Sequence, residues 1–190
     1  MKKVYVFMAD GFEDVEALIP IDVLRRGGVD VVTVSVSDGT QLVESAHGVQ
    51  MMADTLFDDC DFSDADLLLL PGGMPGAQNL FDHKGLCEVL QSQAADGKLI
   101  AAICASPAVV LGQLGLLKGR RATCYPGFEQ FLGDVFYTGE LFTVDGNITT
   151  GEGPAAAFPF AYSLLEQLTD GKTASQVAIG MRYAHLMDCR

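Results

Sequence analysis

Positive charge is scarce in this 190-residue chain: 12 Lys and Arg stand against 25 Asp and Glu, a formal net charge of −13. The few cations form no basic cluster, which argues against nucleic acid or an anionic membrane surface as a partner. No apolar run reaches the roughly 18 residues of a membrane span. The opening stretch MKKVYVFMADGFED meets Asp10 too soon to hold a signal-peptide core, so a cytoplasmic location is expected. No GxxxxGK(S/T) loop is present, which leaves nothing to support a kinase. Cysteines Cys60, Cys87, Cys104, Cys124 and Cys189 are odd in number and contain no CxxC pair. That argues against a disulfide framework and a cysteine-based zinc site, so reduced thiols are expected, with no metal and no cofactor. His47, His83 and His185 are the only histidines, and each reads first as a surface residue. Repeats, low-complexity segments and composition shifts are missing, so one domain over 1–190 is expected.

What is present is 49% hydrophobic residues, arranged as alternating strand and helix patterns. Lys3 to Met8 reads as a strand, Asp14 to Arg26 as a helix stopped by Gly27 and Gly28, and Val29 to Val36 as a second strand. Leu42 to Ser45 and Val49 to Met52 read as a hairpin pair. Asp66 to Leu70 reads as a buried strand, His83 to Ala95 as a helix, and Leu99 to Ile103 as another buried strand. Pro107 to Leu114 reads as a helix, with Ser106 as candidate N-cap and Pro107 at its first position. Arg121 to Cys124 reads as a strand, Leu141 to Val144 and Asn147 to Thr150 as strands joined through an Asp-Gly turn, and Ala155 to Leu168 and Ala174 to Tyr183 as helices. Such units specify an α/β fold with a mostly parallel sheet covered on both faces.

Ligands of such sheets bind outside the carboxyl ends of the strands, and three segments map there: ADGFEDVE, PGGMPG and CASP. Cys104 falls at a strand-to-helix corner, the position of a nucleophile elbow. Helix-terminal amides would favour its thiolate, lowering its pKa toward about 3.5–7.5. Glu13 and Asp14 suit the first turn of a helix by complementing its dipole. Glu16 is embedded among apolar positions, where a desolvated carboxyl would stay protonated and could donate a hydrogen bond to a thiolate. Asp22, in the same run, would be held neutral or paired. Gly72 and Gly73 allow two readings: a turn that needs no Cβ, or backbone amides that approach a substrate oxygen together with the amide of Ala105.

LLLLPGGMPGAQNL, GKLIAAICASPAVVL, FEDVEALIPIDVLRRGGVDVVTVSV and TTGEGPAAAFPFAYSLLEQLTDG, in that order, resemble the ThiJ/PfpI superfamily over nearly the whole chain. The resemblance is to its small branch that contains the parkinsonism-associated deglycase and its bacterial relatives. It implies a flavodoxin-like α/β sandwich related to class I glutamine amidotransferases and a homodimer. It implies Cys104 as nucleophile, Glu16 as its partner, oxyanion amides from Gly73 and Ala105, and a pocket with Gly72, Tyr125 and Asp22. Activities so implied are cofactor-independent glyoxalase, deglycase, peptidase, chaperone and oxidative-stress sensing. An old name links the family to thiamine biosynthesis. The chain departs from the pattern where Tyr125 replaces a histidine, Glu152 an arginine and His47 another arginine. A Cys-His dyad is therefore not expected, which ranks amidohydrolase or peptidase last. The first expectation is cysteine-dependent chemistry on small reactive aldehydes or glycated protein side chains, with a role in stress protection. The alternative is a redox sensor or chaperone that uses an oxidisable Cys104.

Overall fold

The computed structural model describes residues 1–188, so Cys189 lies outside the described residues. In chain order the elements are β1 (Lys3–Met8), α1 (Asp14–Arg26), β2 (Asp30–Ser35), β3 (Leu42–Glu44), β4 (Gln50–Met52), β5 (Thr55–Leu56), β6 (Leu67–Leu70), α2 (Gly76–Asp82), α3 (Lys84–Ala95) and β7 (Leu99–Ile103). A short π-type elbow helix (Pro107–Gly112) follows. After it come β8 (Arg121–Ala122), β9 (Phe136–Tyr137), β10 (Phe142–Asp145), β11 (Ile148–Gly151), α4 (Ala157–Leu168), α5 (Gly171–Gly180) and α6 (Tyr183–Asp188).

Seven strands form the main sheet in the order β10-β11-β7-β6-β1-β2-β5. Every pair is parallel except β10 with β11. The uniformly apolar runs VYVFM, LLLL and IAAI are explained by burial on both faces, with alternate residues serving opposite layers. Val4, Val6, Met8, Leu67, Leu69, Ala101 and Ile103 pack with α1 and α4. Tyr5, Phe7, Leu68, Leu70, Ile100 and Ala102 pack with α3 and the elbow helix. This is the flavodoxin-like sandwich that the sequence implies.

Several local readings are revised. The helix expected from His83 to Ala95 is α3, whose N-cap is His83, with Nδ1 accepting from the Leu86 amide at 3.0 Å; α2 before it was not expected, because the glycine and proline punctuation of PGGMPG obscures its start. Arg121 to Cys124 shrinks to β8, which leaves the main sheet and pairs with the unanticipated β9. The helix expected from Ala174 starts earlier, because Asp170 caps it through the Thr173 amide at 2.7 Å. Ser106 is not a side-chain N-cap: its buried hydroxyl donates instead to the Pro71 carbonyl, tying the elbow to the loop after β6.

Candidate active site

β7 delivers the chain into the core and the elbow helix leads it out, so Cys104 sits between them with φ = +65°, in the left-handed region. A non-glycine residue there costs on the order of 1–3 kcal/mol and persists only where its surroundings impose it. Here the backbone is held on both sides. The Cys104 N–H donates to the Gly151 carbonyl (3.0 Å), and the Cys104 carbonyl accepts from the Tyr125 N–H (2.8 Å). Cys104 is nearly buried, at 8% exposed.

Glu16 is fully buried, in the first turn of α1. Glu13 caps that turn by accepting the Glu16 N–H at 2.8 Å. The loops after β1 and β6 are joined by the Glu13 N–H to the Gly72 carbonyl, and by the Gly76 N–H to the Gly11 carbonyl. The Gly72 N–H donates to Oε2 of Glu16 at 3.0 Å. Oε1 is buried without an aligned hydrogen-bond partner, and the Cys104 thiol is the side chain that this carboxyl meets. A Cβ on Gly72 would lie 2.5 Å from both Glu16 Oε2 and the Cys104 Cβ, so only glycine leaves room for the two groups to converge.

Burial pushes Glu16 up to about 7; its hydrogen bonds to Cys104 and Gly72 oppose this and the charge of Glu13 adds to it. Burial, and then an ionised Glu16 alongside, push the Cys104 thiol up to about 12, while the Gly73 and Ala105 amides pull it down. The expectation of a thiol lowered by the corner alone is therefore corrected: desolvation outweighs the amides. Protonation of Glu16 would remove that like-charge repulsion and turn the carboxyl into a donor, which favours the thiolate.

One consequence is measurable. Between about pH 4.5 and 7 the folded chain keeps a proton on Glu16 that the unfolded chain has released. Its contribution to stability is complete below that window and is lost as pH rises through it, by up to about 3 kcal/mol. Thermal melts should show the wild type losing stability from pH 5 to 7.5, with Glu16→Gln much flatter. Equal slopes would contradict the assignment.

The other expected site residues separate. Gly73 and Ala105 present their amides to the sulfur, whereas the Gly72 amide serves the carboxyl. Tyr125 meets the site through its backbone, and its ring stands 3.1 Å from where a Cβ on Gly153 would be. Asp22 is not a pocket residue. Its carboxylate is about half exposed and pairs with Arg26 Nε at 2.9 Å, four residues on along α1. Of the two readings of this carboxyl, the structure shows the pairing. Gly153 was missed: its Cβ position is 4.0 Å from Glu16 Oε1. The only hint was a glycine just beyond a strand end, in TTGEGP.

Fold and site together define an α/β sandwich with a cysteine at a nucleophile elbow and a buried acidic partner. The DJ-1/PfpI family model matches residues 2–167. The chain belongs to that family. Protein DJ-1 homolog B of Arabidopsis thaliana is 43% identical over 178 residues; the match covers 93% of this chain but only 40% of that protein, so this chain spans less than half its length. A glutathione-independent glyoxalase of Caenorhabditis elegans is 32% identical over 158 residues, 82% of each chain. Oxidised DJ-1 of Toxoplasma gondii superposes with a TM-score of 0.92 at 40% identity, covering 95% of this chain and 98% of that one. Among the described residues no helix is long and apolar enough to cross a membrane.

Proposed function

We propose that the protein converts small α-oxoaldehydes such as methylglyoxal to hydroxy acids without glutathione, through Cys104 and Glu16. The observation that carries this reading is a strained, nearly buried thiol that meets two backbone amides and a buried carboxyl. Thiolate sulfur attacks the aldehyde carbon, and the carbonyl oxygen takes the Glu16 proton to give a hemithioacetal. The amides of Gly73 and Ala105 stabilise the developing alkoxide. Glu16, now ionised, removes the proton from the former aldehyde carbon and returns it to the neighbouring carbon while the hydroxyl proton passes to the adjacent oxygen, which leaves the thioester of a hydroxy acid. Water cleaves the thioester, releasing lactate and restoring the thiol. No amine leaves, so no histidine acid is required. The 8% exposure of Cys104 favours free dicarbonyls over glycated protein side chains. The glyoxalase named among the relatives supports the same reaction class.

Purified protein incubated with methylglyoxal in glutathione-free buffer should form lactate above the buffer control. No excess lactate would sink the reading. A second reading, a redox sensor in which Cys104 is oxidised and Glu16 contacts the new oxygen, is favoured by the oxidised state of the Toxoplasma relative. It predicts peroxide consumption by Cys104 with no lactate.

A further inference from the structure

The hairpin of β3 and β4 is fastened to the loop after β1. The Gly11 N–H donates to the Glu44 carbonyl at 2.7 Å, and the Ala46 N–H to the Phe12 carbonyl at 2.8 Å. This holds His47 over the start of α1, with Nδ1 2.6 Å from Oδ2 of Asp14. One donor atom each from Glu13, Asp14 and His47 lies within 4.8 Å of the others. The ion pair accounts for only half of Asp14. Its Oδ1 is buried and has no hydrogen-bond partner, although it belongs to a carboxylate. Anionic oxygen out of water is costly unless paired, and a cation is the partner that would satisfy it.

The surroundings suit a metal. The buried Ser45 hydroxyl accepts the His47 N–H (3.2 Å) and the Val49 N–H (3.0 Å), which fixes the turn that carries the imidazole. His47 is exposed, which leaves a solvent side for water ligands. We propose that Glu13, Asp14 and His47 form a site for a divalent transition metal of zinc's class. An imidazole with two carboxylates selects such ions over magnesium or calcium, which prefer all-oxygen sets. Three protein donors leave open coordination positions, unlike a closed structural zinc site. The scarcity of paired cysteines, which argued against zinc, does not touch a site built from imidazole and carboxylates.

Calorimetric titration of the metal-stripped full chain with zinc chloride tests the proposal. The expected result is one saturable site per chain. Binding should weaken by about tenfold or more in His47→Arg, which keeps a cation beside Asp14 but cannot ligate, and in Asp14→Asn. Cys104→Ser should bind as the wild type does. Thermal melts of each variant establish that it is folded. Unchanged affinity in both His47→Arg and Asp14→Asn, loss of binding in Cys104→Ser, or no saturable heat up to millimolar zinc would each overturn it. The result is independent of lactate formation.

Discussion

Replacing Cys104 with alanine is expected to lower lactate formation from methylglyoxal by about a thousandfold or more, to the buffer background. No other described thiol can take over. Cys124 is buried and its thiol is pushed up to about 12 by desolvation; burial also raises Cys60 and Cys87, whose sulfurs bond the Leu56 and Phe81 carbonyls. A carbonyl partner draws on the thiol proton and opposes the thiolate, whereas the amides at Cys104 favour it. Tyr125→Phe should change the rate only a few-fold, because Tyr125 holds the elbow through its backbone N–H, which phenylalanine keeps. Enzymatic assay of both lactate enantiomers checks both variants. Full output from Cys104→Ala would exclude the thiol as nucleophile.

Gly72→Ala is expected to disrupt both the fold and the site. The added methyl would stand 2.5 Å from the Cys104 Cβ, 2.5 Å from Glu16 Oε2 and 2.9 Å from the Ile103 carbonyl oxygen, all in buried structure. Relieving three contacts of that kind means displacing the elbow, so a cost of about 3 kcal/mol or more is expected. For a chain of this size that lowers Tm by roughly 6 °C or more. Lactate output should fall with it, since Glu16 and Cys104 are the groups driven apart. Gly97→Ala is the control. Its φ is +68° and its Cβ would meet nothing within 4 Å, so only the backbone conformation is strained, at about 1 kcal/mol. Equal melting shifts for the two variants would contradict the account of close approach.

The elbow was legible because its signals are local: a short apolar run, then Cys104, then Pro107 at a helix start. Glu16 stood out for a similar reason, a carboxyl at an inward position of an amphipathic helix. What escaped depends on partners distant in sequence. That Gly72 serves the carboxyl while Gly73 and Ala105 face the sulfur follows from how three strand ends meet, and no spacing rule encodes it. The upward push on the thiol arises from burial by the surrounding loops, whereas the sequence offered only the helix terminus. Asp22 misled because the hydrophobic run around it suggested burial, yet one helical step turns its carboxylate outward to Arg26. The role of Ser106 was hidden likewise, since its acceptor, Pro71, is 35 residues away.

In the mechanism proposed above, Glu16 carries the proton and donates it to a Cys104 thiolate. This is tested most directly by the pH dependence of Cys104 alkylation, followed by mass spectrometry of the labelled peptide, in the wild type, Glu16→Gln and Glu16→Leu. If Glu16 is a donor, Glu16→Leu removes a hydrogen bond from the thiolate and the thiol pKa rises, while Glu16→Gln, which can still donate, restores part of the difference. If Glu16 is instead an anion beside the sulfur, deleting its charge relieves repulsion, and the thiol pKa of Glu16→Leu falls below that of the wild type, contradicting the account.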